Sequence, residues 1–258
     1  MLKPSAPDWC FLKPGIAPAT HYARLKALGY GAVEMVAPEN RATARDAGLQ
    51  ILNLAAPGMQ QGLNHRAHHA TLIPAIRDCI SEAADAGIPQ VIVFSGNRAG
   101  LSDGEGQANC IEALRMLAPE AVQAKVTLVI EMLNSFSHQD YQADRSAYGF
   151  AVAQAVASPA VKVLYDIYHM VRMGDDPVAD IGGNLSLVAH LHLADVPKRT
   201  VPQADGKIAY RELTRQLLTI GYTGWWGMEF VPGGDVYAEL EQAVAAVHVS
   251  AENCRASI

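Results

Sequence analysis

Eight short apolar runs alternate with longer helix-patterned segments along 258 residues. No other feature restricts the fold as strongly. Parallel strands need crossover connections, and strands buried on both faces read as near-continuous apolar runs. The runs are WCFLKP (9–14), GAVEMVA (31–37), QILNLAA (50–56), QVIVFSG (90–96), TLVIEML (127–133), VKVLYDIYH (161–169), AHLHLAD (189–195) and GWWGMEFV (224–231). The intervening segments ATHYARLKALG, HHATLIPAIRDCISEAADAG and YRELTRQLLTIG end on Gly29, Gly87 and Gly221, natural helix stops. ANCIEALRMLAPEAVQAK carries Pro119, so a kink or break is expected near Ala118. The final segment, VYAELEQAVAAVHVSAENC, is expected to pack against the first helix and close the ring. Repeated βα units without a linker predict an α/β chain forming a single (β/α)8 TIM barrel over residues 1–258. A doubly wound open sheet is the alternative. It usually carries a glycine-rich phosphate turn, and neither GxGxxG nor GxxxxGK[ST] occurs here.

Composition narrows the partners. Half the residues are hydrophobic, enough for a large core, and the formal net charge is −6. A mildly acidic chain has no global attraction for nucleic acid or an anionic membrane. No apolar run is long enough to span a bilayer, and MLKPSAPDWCF lacks the pattern of a signal peptide, so a cytoplasmic protein is expected. Cys10, Cys79, Cys110 and Cys254 form no CxxC pair and are expected to be reduced thiols.

Chemistry concentrates in the late runs. In this fold the active site lies at the C-terminal ends of the strands. Strand five offers Glu131, strand six Asp166 and His169, strand seven His190 and His192, and strand eight Glu229. A carboxylate inside an apolar strand is costly unless it is paired, protonated or bound to a metal. One such residue has ordinary explanations: Glu131 or Glu229 can bridge to an arginine, Asp166 can cap the next loop, and His190 can be structural. Four successive strands carrying one each point instead to Glu131, Asp166, His192 and Glu229 around one divalent cation. Three carboxylates and one imidazole suit Mn²⁺ or Mg²⁺, with Co²⁺ or Zn²⁺ as alternatives.

The motifs VIEMLN, YDIYH, HLHLADVPKR, DGKIAY and GYTGWWGMEFVPGGD resemble the xylose-isomerase-like TIM-barrel superfamily, and within it the hydroxypyruvate isomerase family. LGYGAVEMVAPEN and ILNLAAPG are similar more weakly. The resemblance implies that Glu131, Asp166, His192 and Glu229 are metal ligands and that Glu131 and Glu229 are also the acid/base pair. It implies that His169 and Arg199 contact substrate oxygens, and that Asn134 matches an asparagine following the first catalytic glutamate. Two positions depart from the pattern. Hydroxypyruvate isomerases commonly have glutamine where this chain has His192. The ketose 3-epimerases carry a second glutamate where this chain has Ser137.

The expected activity is isomerisation of hydroxypyruvate or a related short 2-oxo acid or sugar. One glutamate removes a proton beside the carbonyl, and the other works from the opposite side through an enediolate. A ketose 3-epimerase or sugar isomerase acting on a longer monosaccharide is the alternative, and an apurinic-site endonuclease-like metal enzyme a further one. Against the last, strand four offers no histidine, His65, His68 and His69 fall in a loop or helix start, and no DxH pair follows strand seven. A barrel serving only as a binding module is also weighed, against four intact ligand positions. The expected partner is a small hydroxy-carbonyl substrate, with no nucleic acid and no membrane, and homo-oligomerisation is left open. The loops 57–69 and 97–107 are placed to read substrate length. Trp225 and Trp226 are either pocket walls or core.

Overall fold

The computed structural model describes residues 2–248. Nine parallel strands are described: β1 (Pro4–Pro7), β2 (Ala32–Glu34), β3 (Gln50–Ile51), β4 (Asn53–Ala55), β5 (Gln90–Phe94), β6 (Thr127–Glu131), β7 (Val161–Asp166), β8 (Val188–Leu193) and β9 (Trp226–Met228). Their order is β3-β2-β1-β9-β8-β7-β6-β5-β4. The strands at the two ends of that order, β3 and β4, are separated along the chain by Leu52 alone. They are one interrupted strand, so the nine described strands make the eight of a (β/α)8 barrel. Its helices are α1 (Asp8–Phe11), α2 (Pro18–Ala27), α3 (Arg41–Asp46), α4 (Arg66–Asp85), α5 (Asp103–Ala124), α6 (Ser146–Val156), α7 (Ile167–Met173), α8 (Pro177–Asn184), α9 (Tyr210–Thr219) and α10 (Val236–Val247). None of the described helices is long and apolar enough to cross a membrane.

Contacts group the chain into two units. One comprises the described residues up to Ile51, Pro177–Leu185 and those from Leu191 onward. Here β1 pairs with β2 and β9, with Ser5 opposite Ala32 and Gly227. The core contains Phe11, Tyr22, Leu25, Val33, Trp226 and Leu240. Phe11 meets Phe230 edge-on at 4.9 Å. The last helix does pack on the first long one: Arg24 lies 4.4 Å over the Tyr237 ring, and Tyr30 donates to the Leu240 carbonyl at 3.0 Å.

The second unit spans Leu52–Asp176 and Ser186–His190. Strands β4 to β7 pair in register, Ile92 with Val129 and Ile130 with Val163. Ile76, Leu114, Leu117 and Val152 from α4, α5 and α6 are buried, as are Val91, Leu128 and Leu164 from the strands. Gly62 has a left-handed backbone, and a Cβ there would fall 2.0 Å from the Ser95 carbonyl oxygen. That close approach ties the loop after β4 to the end of β5, where Leu63 donates to Phe94 O and Asn64 to Ser95 O. Helix α5 opens with a capping box, Ser102 and Glu105 each accepting from the other's backbone.

Several expectations need correction. The run WCFLKP is not the first strand. That strand is the preceding PSAP, and Asp8–Phe11 is a helical turn burying Cys10 and Phe11. The sixth strand stops at Asp166, whose carboxylate caps α7. Pro119 does not break its helix: α5 runs on to Ala124. The last six residues of the VYAELEQAVAAVHVSAENC segment, Cys254 among them, lie outside the described residues. Helices α3, α6 and α8 were not singled out in the sequence. Trp226 is core, 1% exposed, and its ring meets Tyr222 at 5.5 Å.

Leu128→Ala, at a position with 0% exposure, should cost about 2–5 kcal/mol in urea denaturation, and Ser102→Ala about 1 kcal/mol. In the first unit, Tyr22 Oη donates to Asp8 Oδ2 at 2.6 Å, while Asp8 Oδ1 has no protein partner. Burial pushes the Asp8 carboxyl up to about 6 against the smaller opposing effect of Tyr22. The folded state therefore holds a proton that the unfolded chain releases near pH 4. Its contribution to stability is complete below about pH 4 and is lost as pH rises through about 6. Asp8→Asn should raise the melting temperature at pH 8, by the equivalent of roughly 3 kcal/mol, and leave it nearly unchanged at pH 4. An equal shift at both pH values would contradict this.

Candidate functional site

The chemistry-bearing side chains sit where the strands end. In the first unit His192 is the penultimate residue of β8, and Glu229 follows β9 directly. Parallel pairing sets their level: His192 lies opposite Gly227, and Leu193 opposite Met228. His192 is fully buried and Glu229 is 4% exposed. His192 Nδ1 lies 2.9 Å from Glu229 Oε2, and His192 Nε2 lies 2.9 Å from Glu34 Oε2.

Several side chains engage the Glu229 carboxylate. Trp9 Nε1 donates to its Oε1 at 3.0 Å. Arg199 Nη2 pairs with its Oε2, and Arg199 Nε donates to its backbone carbonyl at 3.1 Å. The Arg199 guanidinium also lies 5.5 Å from the Trp9 ring centroid. Burial alone pushes the Glu229 carboxyl up, but Arg199 and then His192 outweigh it and hold the group at about 2. It is a carboxylate at neutral pH. Arg199 reaches this position from a left-handed backbone (φ 57°), and its carbonyl accepts from Val231 N at 2.7 Å.

In the second unit Glu131 ends β6 and Asp166 ends β7, 6% and 1% exposed, with ligand atoms within 4.8 Å of each other. The Glu131 carbonyl accepts from Tyr141 Oη at 2.9 Å. Asp166 Oδ1 accepts from His169 N at 3.0 Å, and its Oδ2 lies 3.5 Å from His169 Nε2. His169 Nδ1 accepts from the Asn134 backbone N–H at 2.9 Å, which leaves the ring proton on Nε2. The Asn134 side chain is fully buried, close to the same Nδ1, and its Oδ1 accepts from Ser137 N at 2.8 Å. Asn134 thus holds the His169 ring.

The structure brings His192 to Glu229 and Arg199, and Asp166 to Glu131, His169 and Asn134. Two of the simpler expectations are also met: Glu229 does bridge to an arginine, and Asp166 does cap a helix. Neither role removes a carboxylate from other service. The described residues contain buried Glu, Asp and His groups able to hold a metal ion. His65 precedes the first residue of α4, and His68 and His69 lie in its first turn.

Trp9 and Glu34 were missed. Trp9 opens an apolar run whose pattern predicts a strand. Glu34 interrupts an apolar run just as Glu131 and Glu229 do, so the same signal was present one strand pair away. Loops after β4, β5 and β6 enclose a cavity of about 320 Å³ lined by Met59, Gln60, Asn97, Ser137, His138, Gln139 and Tyr141. Its His138 ring meets the His169 ring at 5.3 Å.

Comparison with known proteins places this architecture. A family model described as "Xylose isomerase-like TIM barrel" matches residues 22–247. The chain is similar to a 2-oxo-tetronate isomerase from Cupriavidus necator, 29% identical over 232 residues covering 85% of this chain and 89% of the relative. It is similar to a putative hydroxypyruvate isomerase from Homo sapiens, 26% identical over 239 residues, 84% of this chain and 86% of the relative. Among solved structures, the IolI protein with a bound zinc atom superposes with a TM-score of 0.77 at 14% identity, over 95% of this chain and 98% of that one. The chain belongs to the xylose isomerase-like TIM barrel family and is an isomerase.

Proposed function

We propose that this isomerase interconverts hydroxypyruvate, or a 2-oxo acid one carbon longer, with the corresponding 2-hydroxy-3-oxo or 3-oxo acid. Glu131, Asp166, His192 and Glu229 are the proposed ligands of one divalent cation, Mn²⁺ or Mg²⁺ before Co²⁺ or Zn²⁺. The observation carrying this reading is that each unit ends its strands on buried metal-type donors, Glu131 and Asp166 in one, His192 and Glu229 in the other. The donor set fits: the hard oxygens need a compensating positive charge in a buried position. The names of the relatives from Cupriavidus necator and Homo sapiens support the substrate class, and the zinc in a neighbouring fold supports a metal.

A cation here supplies Lewis-acid stabilisation for the charge that develops on the substrate carbonyl oxygen. The chain's residues move the protons. One of Glu131 and Glu229 takes the proton from C3 beside the C2 carbonyl, and the other delivers a proton to C2 from the opposite face. The hydroxyl proton passes from O3 to O2, so the product is an isomer. Glu229 is ionised at neutral pH and is oriented by Trp9, Arg199 and His192. His169, its Nδ1 held by Asn134, presents Nε2–H towards Asp166 and a substrate oxygen. Arg199 serves the acid end of the substrate, where a guanidinium matches a carboxylate. The cavity beside His138 has a lining of amides, hydroxyls and imidazole, suited to the extra hydroxylated carbon of a four-carbon acid.

The reading is tested by incubating hydroxypyruvate, 2-oxo-tetronate and C5–C6 ketoses in D₂O with Mn²⁺ and following exchange by NMR. Deuterium should enter the short acids at C3, and chelation by EDTA should abolish it. Glu131→Gln and Glu229→Gln should each lower turnover by about 10²–10⁴-fold with an unchanged circular dichroism spectrum. Near wild-type turnover in either variant, or exchange confined to ketoses, would contradict the proposal.

A further inference from the structure

Glu34 takes no part in the proton transfers above, yet it is the most completely enclosed carboxylate in its unit. It ends β2 with 0% exposure. Its Oε1 accepts from Ser5 Oγ at 2.7 Å, and its Oε2 lies 2.9 Å from His192 Nε2. The other nitrogen of the same ring, Nδ1, faces Glu229 Oε2 at 2.9 Å. One imidazole stands between two buried carboxylates. Pairing of β1 with β2 puts Pro7 opposite Glu34 and Ser5 opposite Ala32, so Ser5 anchors the carboxylate from the neighbouring strand.

A buried charge is costly, and an apolar residue would fill this place at less cost. The charge therefore serves its partner. A neutral imidazole carries a single ring proton, and the nitrogen holding it cannot bind a cation. We propose that Glu34 is a positioning residue for the metal centre: it accepts the Nε2–H of His192, fixing the ring's tautomer and rotation, and so reserves the Nδ1 lone pair for the cation beside Glu229. A carboxylate in this position also raises the donor strength of the imidazole. The inference rests on His192 and Glu229 being ligands, as read above.

The test is Mn²⁺ titration of the metal-free full-length protein by calorimetry, with melting of each metal-free variant as a fold control. Glu34→Ala should weaken Mn²⁺ binding about 10–100-fold. Glu34→Gln should lose less, since its carboxamide oxygen still accepts from Nε2–H, and Ser5→Ala least. All should keep one ion per chain, and metal-free Glu34→Gln should melt within a few degrees of wild type. Wild-type affinity in both Glu34 variants, alongside weak binding by His192→Ala, overturns the positioning role and leaves the metal reading standing. So does a wild-type stoichiometry of two ions that falls to one in Glu34→Gln, which makes Glu34 a ligand itself. So does a loss of affinity matched by an equal loss of metal-free stability. No Mn²⁺ binding by the wild type overturns the metal reading and this inference together.

Discussion

Burial of carboxyl groups at strand ends is the constraint that governs this protein. Glu34 and Glu229 are withdrawn from water in one unit, Glu131 and Asp166 in the other. Desolvating a carboxylate costs several kcal/mol, recovered only through close positive charge and well-formed hydrogen bonds. Arg199, His192 and Trp9 do this for Glu229. Ser5 and His192 do it for Glu34. In the proposed reading these acids serve as oxygen donors, and Glu229 is held ionised by its partners.

The fold supplies the rigidity such a set requires. Each acid stands at or just past the end of a parallel strand, and pairing fixes its level against the neighbours. Loops after β4, β5 and β6 are tied by backbone bonds, Asn97 N to Gln60 O at 2.7 Å and Arg98 N to Asp140 O at 2.7 Å. Asn64 Nδ2 adds a bond to Gln142 Oε1 at 2.7 Å. A site carried on hydrogen-bonded strands and loops is held more precisely than one on loops alone.

The architecture was legible because buried parallel strands carry a strong apolar signal. What failed was local. PSAP has weak strand propensity and two prolines, yet pairs as β1 because its neighbours on both sides demand a strand there. WCF is as apolar as a strand, but three residues do not reveal a period, and the run coils to bury Cys10 and Phe11. Asp166 reads equally as strand or cap and is both. The late acids were found because they interrupt apolar runs. Glu34 carries the same mark, but it lies on an early strand, away from the cluster of late acids. The Trp9 contact with Glu229 joins residues 220 positions apart, and no local pattern encodes it.

The claim on which the rest depends is that one cation is shared by Glu131, Asp166, His192 and Glu229. Anomalous diffraction at the manganese edge from crystals grown with Mn²⁺ tests it most directly. The account predicts a single strong peak per chain, within coordination distance of those four side chains. A peak elsewhere, or four side chains intact around no peak at all, would contradict it.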